Sequence, residues 1–125
     1  MLRAVFEGVA FSIAEAATSL PEFGGAASLY LAGGASPHPS WRKLLCDVLG
    51  KKLLVIENPN ASALGAALLG AQAAGLIVEI SKELTFVDEV EPDPVANRLL
   101  AGTFEHCKEA ATDGTRRSLP RQDQM

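Results

Sequence analysis

The stretch SLYLAGGASPHPSWRKLLCDVLG (Ser28–Gly50) carries a short apolar run into a glycine pair and on into an amphipathic helix. Leu29, Tyr30, Leu31 and Ala32 predict a buried strand, uncharged and with a β-favouring aromatic. Gly33 and Gly34 allow positive φ and a close backbone approach, and Pro39 suits the first turn of a helix. Trp41, Leu44, Leu45, Val48 and Leu49 give that helix an apolar face. Arg42, Lys43 and Asp47 fall outside the face, and Gly50 is placed to end the helix in the left-handed region. Free N–H groups at such a helix start, with the positive end of its dipole, form an anion site suited to a phosphate or a nucleotide. A glycine pair here also serves simply as a tight strand-to-helix connection, so the spacing alone leaves both readings open.

Downstream, Leu53–Ile56 reads as a second strand, and strand, helix, strand in that order predicts a right-handed parallel crossover. A third helix from Ala61 to about Ala74 follows, with Asn60 or Ser62 as cap and Gly75 as stop. It contains no Lys, Arg or Glu, and its Ala and Gly residues predict close packing on every side. Residues 61–78 are uncharged over a length that matches a membrane span, but the Ala/Gly composition with Ser62 and Gln72 predicts a buried helix instead. Upstream, Leu2, Val5, Phe6, Val9, Ala10, Ile13, Ala14 and Ala17 recur at helical spacing and predict a core-facing helix from Met1 to about Ser19. Gly8 within it suggests a close neighbour. Leu20–Ala26 reads as a loop.

Leu76–Val78 and Leu84–Val87 read as short strands or extended segments around a turn at Lys82 and Glu83. Glu91-Pro92-Asp93-Pro94 is a helix start, with Asp93 as cap and Pro94 in the first turn of a helix running to about Ala111. Val95, Leu99, Leu100, Phe104 and Cys107 form its stripe, leaving His106 on the surface. Residues 113–125, DGTRRSLPRQDQM, read as a disordered tail.

The chain has 125 residues, enough for one domain with a core and short for a two-substrate enzyme. Its net charge of −4 and pI near 5.1 argue against nucleic acid or an anionic membrane as partner. Cys46 and Cys107 lack metal or redox spacing and read as free buried thiols. With no signal-peptide pattern, the expected location is the cytoplasm.

Three elements recur together: Gly33-Gly34-Ala35 after a strand, Asp47-Val48-Leu49-Gly50 at a helix end, and Ala63-Leu64-Gly65-Ala66-Ala67 after the next strand. In order and separation they resemble the C-terminal nucleotide-binding region of the FGGY carbohydrate kinases, most closely the xylulokinases. Phe6–Phe11 and the Glu91–Pro94 helix resemble the flanks of that region. The resemblance implies an α/β chain of the actin-like ATPase (ribonuclease H-like) fold, a partial C-terminal lobe covering residues 1–112. It places Gly33, Gly34 and Ala35 against the α-phosphate and ribose of ATP, and His38 near the adenine. Ala35 stands where a third glycine is common, and Cys46 where alanine is usual. Mg²⁺ would arrive with the ATP.

The family's phosphate loop, sugar contacts and general-base Asp have no counterpart, so the chain is expected to be inactive without a missing N-terminal lobe. A pentulose such as D-xylulose is the implied sugar, with glycerol or another polyol as the alternative. The other reading is a non-catalytic remnant that forms a homodimer through its uncovered apolar surface.

Overall fold

The computed structural model describes residues 2–57, 60–76, 79 and 84–118. Helix α1 (Leu2–Thr18) is followed by a 3₁₀ turn (Pro21–Phe23), strand β1 (Ser28–Leu31), helix α2 (Pro39–Leu49) and strand β2 (Lys52–Ile56). Helix α3 (Ala61–Ala73), strand β3 (Phe86–Val90) and helix α4 (Pro94–Ser118) complete the order. The sheet runs β1-β2-β3. As the crossover pattern requires, β1 and β2 are parallel, with Ser28 opposite Lys52 and Leu31 opposite Val55. β3 joins β2 antiparallel, with an irregularity at Val55/Ile56. The extended reading of 84–87 thus becomes a strand two residues later. The readings at 77–78 and at Lys82 and Glu83 lie outside the described residues.

The core lies between one sheet face and the helices α1 and α2. Leu53 and Val55 alternate inward on β2 and are almost fully buried; Ala10, Leu45 and Cys46 close over Leu53, with Leu29, Leu31, Leu44, Val48 and Val90 packed around them. The stacked rings of Phe11 and Phe104, 5.0 Å apart, join α1 to α4.

Four expectations about packing fail, for related reasons. On α1 only Ala10, Phe11 and Ala14 are buried, while Leu2, Val5, Phe6, Val9 and Ile13 are exposed. A Cβ at Gly8 would meet nothing within 4 Å, so no neighbour explains that glycine. α3 contains no buried residue and stands largely apart from the core, with Leu69 exposed, although its sequence predicts packing all round. On α4, Val95, Leu99 and Cys107 are exposed, so only one of the two cysteines is buried. On α1, α3 and α4 the apolar pattern is present and the described elements leave much of it uncovered; Phe6 meets the Trp41 ring, 6.0 Å away between centres, and still stays exposed.

Local signals fare better. Gly50 and Gly75 take φ of 62° and 81° at the ends of α2 and α3. Asp93 Oδ1 accepts the Val95 N–H at 2.8 Å, capping α4 with Pro94 at its first position. Asn60 sits at the N-cap of α3 but makes no side-chain capping bond. α4 continues to Ser118, so residues 113–118 of the expected tail are helical; residues 119–125 lie outside the described residues.

Asp47, expected outside the apolar face, is buried between α2 and the start of α4. Its Oδ1 accepts from Lys43 Nζ at 2.6 Å and from the Asp93 N–H at 2.7 Å, and its carbonyl accepts from Asn97 Nδ2 at 2.7 Å. The hydrogen bond to Asp47 raises the Lys43 pKa above its usual value. Gly50 is part of the same junction, because a Cβ there would lie 2.9 Å from Asn97 Nδ2. Gly50→Ala therefore meets both a left-handed φ and a held side chain. It is expected to cost about 2 kcal/mol in denaturant unfolding, whereas Gly8→Ala at an open helical site is expected to stabilise by up to about 1 kcal/mol.

The Cys46 thiol contacts the carbonyls of Lys51 and Val90, each at 3.2 Å. Burial, reinforced by the Asp47 carboxylate, pushes its pKa up to about 11 from 9.0. The folded chain therefore keeps a proton that the unfolded chain releases first. Stability from this group is full below pH 9 and falls as pH rises toward 11; Lys43 acts in the same direction at the upper end of that range. Thermal midpoints should decline from pH 9 to 11, less steeply in Cys46→Ala. A thiol reagent at neutral pH should modify Cys107 rapidly and Cys46 only after unfolding.

Candidate nucleotide-binding turn

The glycine turn leaves the carboxyl end of β1, which lies at one side of the sheet, and enters α2. In open α/β sheets ligands bind beyond such strand ends. Gly33 has φ 110°, a conformation that L side chains rarely adopt. The Gly33 carbonyl accepts both the Ser36 N–H at 3.1 Å and the Ser36 Oγ hydroxyl at 2.7 Å, and Ser36 is buried. Because a trans peptide points its N–H opposite to its C=O, tying the Gly33 carbonyl to Ser36 turns the Gly34 N–H away from Ser36.

The other acceptors nearby are also engaged. Ala35 C=O accepts the His38 N–H at 3.2 Å, and Ser36 C=O accepts Arg42 Nε. These three carbonyls thus face protein donors rather than an incoming anion. His38 is the N-cap of α2 in an extended conformation, with its side chain exposed and uninvolved in capping. Its carbonyl takes the Arg42 N–H at 3.1 Å. Pro39 has no N–H, so the amides of Ser40 and Trp41 are the first-turn donors without a helical acceptor.

Gly34 is exposed and has no positive φ, and a Cβ there would meet nothing within 4 Å. Within this chain its lack of a side chain relieves no contact. The open space beside Gly34 leaves room for a ligand to approach the backbone. Gly33, Gly34, Ala35 and His38 are consecutive parts of one surface, with Gly34, Ala35 and His38 exposed. A shallow concavity along α4, lined by Glu105, Lys108, Glu109, Thr112 and Asp113, contains no residue of this turn. Among the described residues no group of three or more His, Cys, Asp or Glu is arranged to hold a metal.

The sequence model of the C-terminal domain of the FGGY family of carbohydrate kinases matches residues 1–74 of the 125. The chain belongs to the FGGY family of carbohydrate kinases. It is 31% identical to the xylulose kinase of Bacillus subtilis over 75 residues, which are 59% of this chain and 15% of that protein. With the gluconokinase of Bacillus licheniformis it shares 33% identity over 79 residues, 62% of this chain and 15% of that one. With the autoinducer-2 kinase of an Enterobacter species it shares 30% over 111 residues, 84% and 21%.

The xylulose kinase of Lactobacillus acidophilus superposes on 89% of this chain with a TM-score of 0.75 at 20% identity, using 24% of its own chain. The xylulose kinase of Rhodospirillum rubrum gives 0.72 at 22% identity, with the same two coverages. The fold is therefore that of the FGGY kinases, a partial C-terminal lobe of the actin-like ATPase (ribonuclease H-like) type. The chain spans less than a quarter of the length of these relatives.

Three residues that hold the turn, Ser36 within it, Arg42 on α2 and Asp88 on β3, escape the sequence reading. Ser36 is detectable in principle, as a hydroxyl residue three positions after a left-handed glycine. Arg42 was assigned only to the polar face of α2. Asp88, which pairs with Arg42 Nη1 at 2.7 Å, required the position of β3 to be known.

Proposed function

We propose that this chain is the ATP-binding C-terminal part of a carbohydrate kinase, acting on a pentulose such as D-xylulose once joined to an N-terminal lobe. The observation that carries the nucleotide reading is the open space at Gly34 beyond the end of β1, next to a Gly33 carbonyl that Ser36 holds away from it. Gly33, Gly34 and Ala35 would lie along the α-phosphate and ribose, and His38 beside the adenine. Mg²⁺ would enter with the ATP and neutralise phosphate charge during in-line transfer. The general base and the sugar contacts would come from the other lobe, so the isolated chain transfers no phosphoryl group. The proposed location is the cytoplasm.

The choice of a pentulose is supported by xylulose kinases recurring among the relatives in both sequence and structure. Gluconokinases and an autoinducer-2 kinase are also among them, so the substrate is the part of this reading to test first. The experiment is to co-express the chain with a complementary kinase N-terminal lobe and assay ATP consumption with D-xylulose, D-gluconate and glycerol. Turnover with the ketopentose at least about 100-fold above the others in kcat/KM supports the reading. Preference for gluconate or glycerol replaces the pentulose with that substrate.

The uncovered apolar residues of α1 favour a second reading, a non-catalytic module that associates with itself. Sedimentation that finds a stable dimer, together with no nucleotide affinity in the complemented protein, would put this reading in place of the first.

A further inference from the structure

The side chain of Arg42 is only 15% exposed and reaches two separate elements. Nε donates to the Ser36 carbonyl at the back of the glycine turn, and Nη1 pairs with Asp88 Oδ2 on β3 at 2.7 Å. Asp88 is itself fixed, because its Oδ1 accepts the Glu89 N–H at 2.9 Å. Ser36 in turn holds the Gly33 carbonyl by both its hydroxyl and its N–H. A continuous set of hydrogen bonds thus runs from β3 through Asp88, Arg42 and Ser36 to Gly33, the residue that sets the direction of the Gly34 amide.

We propose that Arg42, braced by Asp88, is a positioning residue that holds the Gly33–Ser36 turn with its Gly34 amide turned away from Ser36. This role in the nucleotide site rests on the reading of that turn as the ATP contact. The planar guanidinium suits the task, because its fixed fork presents Nε and Nη1 to two acceptors at once. The Ser36 carbonyl needs such a donor, since the residue is only 6% exposed and has little access to water. The arrangement also gives β3 a function beyond extending the sheet: it anchors, across β2, the turn that leaves β1.

Asp88 is the place to test this, because its side chain is 45% exposed and its removal leaves the core intact. In the full chain Asp88→Ala is expected to speed hydrogen exchange at the Ser36 amide about 10-fold and to move the Arg42 Nε–H resonance toward its solvent-exposed position. Exchange on β2 should stay unchanged. In the protein complemented with an N-terminal lobe, ATP affinity should fall about 5-fold, and Asp88→Glu should restore exchange, resonance and affinity together. An unchanged Ser36 exchange rate in Asp88→Ala overturns the proposal, as does acceleration spread equally over β2 and α2. If the wild-type complemented protein binds no ATP, the nucleotide reading fails, while the Ser36 comparison, made without nucleotide, still decides whether the brace holds the turn.

Discussion

Asp47→Ala is expected to lower the free energy of unfolding by about 3 kcal/mol, a large share of the stability of a domain this size. The substitution removes the acceptor of the Asp93 N–H and the partner of the Lys43 ammonium from a site that is 6% exposed. It leaves the part-buried bond at the start of α4 without its acceptor and the Lys43 ammonium without its partner, and losing both exceeds the loss of an ordinary surface ion pair. Asp47→Asn keeps an acceptor for the Asp93 N–H and loses only the charge facing Lys43, whose side chain is half exposed. About 1 kcal/mol is expected for it. Urea unfolding of the two variants separates the contributions. Equal losses would mean that the charge, rather than the hydrogen bond to α4, holds this junction.

Gly34→Asp is the second large effect. The position has open space around a Cβ and needs no left-handed φ, so the thermal midpoint should stay close to that of the wild type. In the complemented protein the new carboxylate would stand beside the backbone amide of the same residue, where a phosphate oxygen is proposed to sit. Like charges at about 4 Å in partly screened surroundings repel by a few kcal/mol, so ATP affinity should fall about 100-fold. Gly34→Ala adds volume without charge and should lose far less. A Gly34→Asp variant that binds ATP as well as the wild type would show that the nucleotide does not approach this amide.

The strand, glycine turn and helix from Ser28 to Gly50 were legible because every signal there is local: an apolar run, a left-handed glycine, a proline at the first helical position and a glycine stop. The Asp93–Pro94 start of α4 was legible for the same reason. What could not be read was which faces the chain itself would cover. Periodicity on α1 and small residues on α3 specify helices that can be packed against, but they do not say that the partner lies in the same chain. Here Leu2, Val5, Phe6 and Leu69 remain exposed.

Asp47 was misplaced because a carboxylate on the polar side of α2 becomes buried only when α4, more than forty residues on, docks against it. The site divides in the same way. Gly33, Gly34, Ala35 and His38 follow from one contiguous stretch, whereas the Arg42–Asp88 brace depends on an antiparallel pairing across β2 that no short-range pattern announces.

The claim on which the account depends is that the amides of residues 33–35 receive a nucleotide. Titrating Mg-ATP into the isotope-labelled chain, complemented by an N-terminal kinase lobe, and following backbone amide resonances addresses it most directly. Saturable shifts that are largest at Gly33, Gly34 and Ala35 are the predicted result. Saturable ATP binding that leaves those three resonances in place, or no binding at all, would contradict it.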